Sequence, residues 1–140
     1  MDLDITFPGG HKVCARGNGF EIETDQPKDA GGDGSAPTPF DYFLASIGTC
    51  AGFYVQRFLT QRHLPTDGAS LRLYATRDAT TRMVTRIDLE LVLDESVPKK
   101  YEPAILRAID LCTVKKHLLA PPEVTTVLRR SSRGTPAESV

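Results

Sequence analysis

The feature of this sequence that most restricts its fold is a long apolar segment with a clear helix start, at positions 38–63 of 140. Thr38 supplies an N-cap, Pro39 suits the first helical position, and Asp41 completes a capping-box pattern at the third. A Leu-Pro pair after His63 predicts the end of the helix. The apolar positions cover more than one stripe, which is typical of a central helix. They are Phe40, Phe43, Leu44, Ile47, Phe53, Tyr54, Val55, Phe58 and Leu59.

Two glycines interrupt this helix, and each costs about 1 kcal/mol relative to alanine. Gly48 and Gly52 are four residues apart and therefore lie on one face. Their placement predicts that another backbone passes close to that face. A chain this short builds one core, so a helix that is apolar over most of its surface also predicts a cover from a second chain. We therefore expect a dimer whose central helices pack against each other.

Alternating apolar and polar residues on both sides of the helix predict antiparallel strands with one buried face. The predicted strands are Asp2–Phe7, Lys12–Arg16, Gly19–Thr24, Leu71–Thr76, Met83–Leu93 and Glu123–Arg130. A second helix is expected from Pro98 or Pro103 to Cys112, with a further helical turn over residues 114–118. The order βββ-α-ββ-α-β predicts an α+β fold with a mostly antiparallel sheet.

A loop of fourteen residues, Asp25 to Thr38, joins the third predicted strand to the long helix. This length is at the upper edge of ordinary connections, so the loop is expected to be functional or to be pinned by other residues. One domain is expected over residues 1–130. The small, polar residues 131–140 predict a disordered tail.

The charge balance restricts the class of partner, because 17 basic and 18 acidic residues give a net charge of −1. Such a surface has no long-range field for polyanions, which argues against a nucleic-acid binder. No apolar run approaches the roughly 20 residues of a membrane helix. The acidic N-terminus does not resemble a signal peptide, so we expect a cytoplasmic protein without a membrane partner.

Three cysteines, Cys14, Cys50 and Cys112, form an odd set that is not typical of a secreted disulfide scaffold. There is no Cys-x-x-Cys motif, and Cys14 with His11 lacks the further ligands of a metal site, so no metal is expected. Cys50 and Cys112 each lie on the apolar stripe of a predicted helix. The residues alone leave two interpretations: thiols that pack as small hydrophobes, or a pair that carries out redox chemistry.

Residues 31–50 contain a block, Gly-Gly followed by Ala-Pro-Thr-Pro-Phe-Asp-Tyr-Phe-Leu-Ala-Ser-Ile-Gly-Thr-Cys, and residues 111–115 read Leu-Cys-Thr-Val-Lys. The two blocks resemble the cysteine signatures of the osmotically inducible protein C / organic hydroperoxide reductase (OsmC/Ohr) family. The resemblance extends from about Gly19 to Arg130 and indicates a divergent member. It implies an intertwined homodimer in which mostly antiparallel sheets from both chains wrap two long central helices. The active sites would lie at the dimer interface.

The resemblance also implies cysteine-based peroxidase chemistry, with Cys50 as the peroxidatic thiol and Cys112 as the resolving thiol. The family's arginine that holds the thiolate falls near Lys12, with Arg16 the nearest arginine. The family's glutamate directly after the helix-start proline is replaced by Phe40, and the acid, Asp41, comes one place later. Lys12, Arg16 and Asp41 are the candidates that activate the thiolate. The residues expected to line an apolar substrate pocket are Phe43, Ile47, Phe53 and Tyr54.

The expected reaction, in oxidative-stress defence, reduces organic hydroperoxides to alcohols through a Cys50 sulfenic acid and a Cys50–Cys112 disulfide. An external dithiol, either a small molecule or a protein, would restore both thiols, and no bound cofactor is expected. Two alternatives stay open at this point. One is a non-catalytic dimer of the same fold that binds an apolar ligand, and the other is a cysteine redox sensor.

Overall fold

The computed structural model describes residues 1–130 of the chain, and the predicted disorder of residues 131–140 concerns a segment outside them. The strands are β1 (Asp4–Gly9), β2 (Lys12–Gly17), β3 (Phe20–Thr24), β4 (Ser70–Arg77) and β5 (Val84–Val92). The helices are α1 (Pro39–Gln61), α2 (Glu102–Ile109) and α3 (Thr113–Leu119), with 3₁₀ turns at Lys28–Ala30 and Lys99–Tyr101. Strands β1–β3 form one antiparallel sheet and β4–β5 form a second. The α+β class with antiparallel sheets is confirmed.

Helix α1 begins as the capping pattern predicts. The Asp41 backbone N–H donates to the Thr38 hydroxyl, and the Thr38 backbone N–H donates to the Asp41 carboxylate over 2.8 Å. The helix ends at Gln61, two residues before the expected end. Its buried residues pack with Ile105 and Ile109 of α2 and with Val97. These core residues of α1 are Ala51, Val55, Phe58 and Leu59.

The hairpin of β4 and β5 covers one side of this core. Leu71 pairs with Leu91 and Leu73 pairs with Leu89, and all four side chains are half-buried toward the helices. The alternate residues of β4, among them Arg72, are exposed to solvent. The predicted two-faced hairpin is thus confirmed, and it holds α1 between itself and α2. Among residues 1–130, no helix is long and apolar enough to cross a membrane.

The loop before α1 is pinned by one buried carboxylate. Asp25 is 1% exposed, and it accepts hydrogen bonds from the backbone N–H groups of Gln26, Asp33 and Ser35 and from the Ser35 hydroxyl. The Ser35 N–H and hydroxyl are the main causes that lower the Asp25 pKa to about 2. A Cβ at Gly32 would lie 1.9 Å from the Gln26 carbonyl oxygen, so this turn requires glycine. The loop therefore delivers Thr38 to the helix start in a fixed conformation.

Two predictions about the fold are wrong within the described chain. Glu123–Arg130 pairs with no strand there, and Val124, Val127 and Leu128 are each at least 76% exposed. An alternating pattern does not form a strand without a sheet edge that accepts its backbone hydrogen bonds. The observed order is therefore βββ-α-ββ-α-α, because the third helix follows the second without a final strand.

No backbone of residues 1–130 passes close to the helix glycines, so the approach of another backbone stays a prediction that concerns a second chain. A Cβ on Gly48 would lie 3.8 Å from the Leu73 Cδ1, which is ordinary side-chain contact. A Cβ on Gly52 would meet nothing within 4 Å among these residues. Gly52 therefore leaves space that residues 1–130 do not fill, whereas Gly48 faces a side chain of β4.

Candidate functional site

The site is formed where the middle of α1 meets the start of α3. Cys50 is the twelfth residue of α1 and is partly buried, whereas Cys112 immediately precedes α3 and is 1% exposed. The two thiols are close enough to shift each other's pKa, and neither forms a disulfide. The structure thus brings together the two cysteines that the sequence analysis singled out.

Cys112 is not on the second helix, which corrects the expected helix boundary. Helix α2 ends at Ile109, and the chain then tightens as the Leu111 and Cys112 N–H groups bond to the Ala108 and Ile109 carbonyls. Cys112 is the N-cap of α3, and its Sγ accepts the Lys115 N–H over 3.4 Å. The turn between α2 and α3, rather than a helical stripe, therefore aims this sulfur at Cys50.

Hydrogen bonds control the ionisation of Cys50. Burial raises the pKa of this thiol, but hydrogen bonds from the Cys112 thiol and from the Val114 and Thr113 N–H groups outweigh burial. The net effect lowers the Cys50 pKa below its ordinary value. Hydrogen bonds to the charged form of a group favour that form. This environment therefore favours the Cys50 thiolate, which is the nucleophilic form of cysteine.

Cys112 is shifted in the opposite direction. Burial raises the pKa of this thiol, and the hydrogen bond and negative charge of Cys50 raise it further, against a smaller lowering by the Lys115 N–H. Two neighbouring groups whose pKa values move apart divide into an acid and a base. The arrangement therefore favours one thiolate, Cys50, which accepts a hydrogen bond from one protonated thiol, Cys112.

Lys12 and Arg16, the expected cations, lie on β2 and are engaged in ion pairs there. Lys12 pairs with Glu23 over 3.6 Å, and Arg16 forms a bidentate pair with Glu21 at 2.9 Å. Within residues 1–130, no cation contributes to the lowered pKa of Cys50. The sequence led us to expect a side-chain cation beside Cys50 and did not predict the backbone N–H donors of α3. A cysteine directly before a short helix is the signal that indicates such donors.

Asp41 is occupied by the helix start. Its carboxylate accepts the Thr38 hydroxyl over 2.7 Å and the Thr38 N–H, and these two bonds lower its pKa. The charge of Arg77, whose guanidinium lies 4.9 Å from the Phe40 ring centre, lowers it further. Nine residues of helix separate Asp41 from Cys50, about 13 Å along the axis. Asp41 therefore positions the helix that carries Cys50 rather than contacting its thiol within one chain.

The four residues predicted to line the substrate pocket lie in different surroundings. Ile47 is buried at a groove of about 1090 Å³ between β5 and the α2–α3 pair. Phe43 packs on Phe40 with ring centres 5.3 Å apart, and Phe53 meets Tyr54 edge-on at 5.4 Å. Phe53 is 54% exposed. Within one chain, these side chains flank Cys50 along α1 but do not enclose a single pocket.

Comparison with solved structures shows the same fold in several bacterial proteins. A candidate osmotic stress induced and detoxification response protein of Psychrobacter arcticus is 21% identical, with a TM-score of 0.68 over 81% of this chain and 85% of that chain. The OsmC-like protein of Mycoplasma pneumoniae is 13% identical, with a TM-score of 0.67 over 86% and 87%. The organic hydroperoxide resistance protein OsmC of Legionella pneumophila is 16% identical, with a TM-score of 0.54 over 84% and 89%.

Identities this low establish the fold, and the family is established by sequence. A search of the curated proteins found no match. The sequence model of the OsmC-like protein family, however, matches residues 32–127. This span covers most of the chain, including both cysteines of the site. The chain therefore belongs to the OsmC-like protein family, some of whose members are named for resistance to organic hydroperoxides.

Proposed function

We propose that this protein is a cysteine-based peroxidase that reduces organic hydroperoxides to alcohols in defence against oxidative stress. One observation carries the proposal: the fold places the Cys50 and Cys112 thiols beside each other, where α1 meets α3, and their pKa values are shifted in opposite directions. The names of solved relatives that confer organic hydroperoxide resistance support the same activity.

In the first step, the Cys50 thiolate attacks the distal oxygen of the hydroperoxide. A sulfur–oxygen bond forms and the oxygen–oxygen bond breaks, so that Cys50 becomes a sulfenic acid and the leaving alkoxide takes a proton to become the alcohol. The Cys112 thiol and the N–H groups of Val114 and Thr113 lower the pKa of the attacking sulfur before this step. The apolar side chains that flank Cys50 favour an organic hydroperoxide over the small, polar hydrogen peroxide.

In the second step, the Cys112 sulfur attacks the Cys50 sulfenic acid. A disulfide forms and water leaves, which protects Cys50 from further oxidation. Because the two thiols are neighbours, movement of the turn that carries Cys112 would bring the sulfurs together for this step. An external dithiol then reduces the disulfide to two thiols and becomes oxidised itself. The cytoplasm, where thiols are kept reduced, suits this cycle.

The proposal includes a homodimer, because the β1–β3 sheet lacks a cover of its own. Ile5 is 52% exposed and Phe7 is 80% exposed on β1, and an isolated small sheet with exposed apolar faces is marginal in water. A second copy of the chain would cover these residues and the face of α1 around Gly52. Lys12 and Arg16 lie on the same sheet, so in the dimer they become candidates to approach the Cys50 of the other subunit.

The test is turnover of cumene hydroperoxide with dithiothreitol as the reductant. Cys50→Ser should reduce consumption to the uncatalysed background, because a serine hydroxyl is not ionised at neutral pH. Cys14→Ser is the matched control and should retain the wild-type rate, since Cys14 lies on β2. Unchanged turnover in Cys50→Ser would overturn the proposal and favour a protein that binds an apolar ligand without catalysis.

A further inference from the structure

A second groove, separate from the cysteine pair, lies between the C-terminal half of α1 and helix α2. It has a volume of about 430 Å³ and is open to solvent. Its floor is apolar and includes Phe58, Ala104 and Ala108. The guanidinium of Arg62 lies 3.8 Å from the centre of the Phe58 ring and so spans one end of this floor. We call this site the arginine groove.

The arginine groove concentrates positive charge in a chain whose net charge is −1. Arg57, Arg62 and Arg107 line it, and no aspartate or glutamate does. None of the three takes part in an ion pair within residues 1–130, although four ion pairs form elsewhere in that range. Arginine presents several donors in a planar fork that matches a carboxylate. Three such side chains above an apolar floor therefore suit an anion that carries an apolar body.

The arginine groove follows the same face of α1 that carries Cys50. Tyr54, Arg57 and Gln61 line it at spacings of four, seven and eleven residues from Cys50, which places them along one side of the helix. On the opposite wall, Leu111 directly precedes Cys112. The groove therefore begins about one helical turn from the cysteine pair and extends away from it.

We propose that the arginine groove binds a small organic acid, with its carboxylate held by Arg57 and Arg107 and its apolar chain along Ala104 and Ala108, beside the stacked Arg62 and Phe58. The charge selects an anion, the floor selects an apolar chain, and the volume is in the range of small-molecule sites. This inference concerns binding alone and does not depend on peroxide turnover. Its place beside Cys50 means that a carboxylate ligand would lie next to the reactive thiols.

The test is calorimetric titration of the intact protein with decanoate and, separately, with decanol. Decanoate should bind at least about tenfold more tightly than decanol, because a charge-assisted hydrogen bond contributes on that scale. The double variant Arg57→Gln with Arg107→Gln should lose about tenfold in decanoate affinity or more. Arg72→Gln, on the exposed face of β4, removes the same kind of charge and should leave the affinity unchanged.

Two results would overturn the inference: equal affinities for decanoate and decanol, or an equal loss of decanoate affinity in Arg72→Gln and in the double variant. All three arginines are exposed, so the variants should fold, and their melting temperatures check this. Turnover of cumene hydroperoxide, which carries no carboxylate, should be unchanged in the double variant. If decanoate binding is absent while that turnover persists, the carboxylate site is wrong and the peroxidase proposal stands.

Discussion

Buried cysteine occurs both at the junction of α1 with α3 and at the centre of the β1–β3 sheet, but the groups that surround it differ. Cys14 is 7% exposed and lies on β2 between Thr6 of β1 and Glu23 of β3. Cys50 meets a second thiol and two backbone N–H groups that are not used inside a helix. Burial alone therefore does not make a cysteine reactive. A second sulfur and free donors beside it distinguish the candidate site from the sheet.

Replacement of Cys112 removes the second thiol from this comparison and should have the largest effect on turnover after loss of Cys50 itself. In Cys112→Ser, sustained consumption of cumene hydroperoxide should fall roughly tenfold or more, because the Cys50 sulfenic acid has no internal partner. Serine is a good N-cap, so α3 should persist. Mass spectrometry should find Cys50 sulfinic acid accumulating in this variant.

Cys14→Ser, treated in the same way, should show neither a fall in turnover nor an accumulation of Cys50 sulfinic acid. Wild-type turnover in Cys112→Ser without sulfinic acid would contradict the resolving role of Cys112.

The lowered pKa of Cys50 gives a second test of the contrast with Cys14, because the rate of thiol alkylation depends on pH. A lowered pKa means that thiolate persists to lower pH, so alkylation of Cys50 by iodoacetamide should reach half its maximal rate below the pH typical of cysteine. Cys112→Ala removes one hydrogen-bond donor and should move this midpoint upward. Cys112→Ser, which keeps a hydroxyl donor, should move it less. Rates are read from the Cys50 peptide by mass spectrometry, and equal midpoints in all three proteins would contradict the hydrogen-bond account.

Replacement of Asp25 tests whether the stability that the loop before α1 provides is independent of the ionisation of Cys50. In Asp25→Asn, the amide cannot accept all the N–H groups that face the carboxylate, so the melting temperature should fall by several degrees. The alkylation midpoint of Cys50 should not change. The matched control is Asp33→Asn, an exposed carboxyl on the same loop.

The lowered pKa of Asp25 predicts how the melting temperature depends on pH. Its pKa is about 2 in the folded chain, below the ordinary value near 4, so its contribution to stability is complete above about pH 4. This contribution is lost as the pH falls toward 2. The melting temperature of the wild type should therefore fall more steeply over this range than that of Asp25→Asn. Parallel curves would contradict the role of the carboxylate.

The sequence predicted those parts of the fold that depend on local signals. The capping pattern at Thr38 and Asp41 placed the start of α1, and alternation placed β4 and β5. The strand at Glu123–Arg130 failed because pairing depends on a distant edge that alternation does not reveal. The buried role of Asp25 was also missed, since its donors are backbone groups up to ten residues away.

The two cysteines of the candidate site were predictable from the sequence, but the cause of the lowered Cys50 pKa was not. The spacing of Cys50 and Cys112 does not reveal their contact, so the pairing came from resemblance to a family. The source of the lowered pKa was sought in side-chain cations such as Lys12. It lies instead in the Cys112 thiol and in backbone N–H groups. Every residue except proline carries a backbone N–H, so no residue type marks these donors.

The central claim is that Cys50 and Cys112 act as one redox pair while Cys14 stays apart. The most direct measurement is peptide mapping of the protein after one equivalent of cumene hydroperoxide, with free thiols alkylated at once. The account predicts a disulfide that joins the Cys50 and Cys112 peptides, with Cys14 recovered as an alkylated thiol. Recovery of Cys50 and Cys112 as alkylated thiols, or a disulfide that includes Cys14, would contradict it.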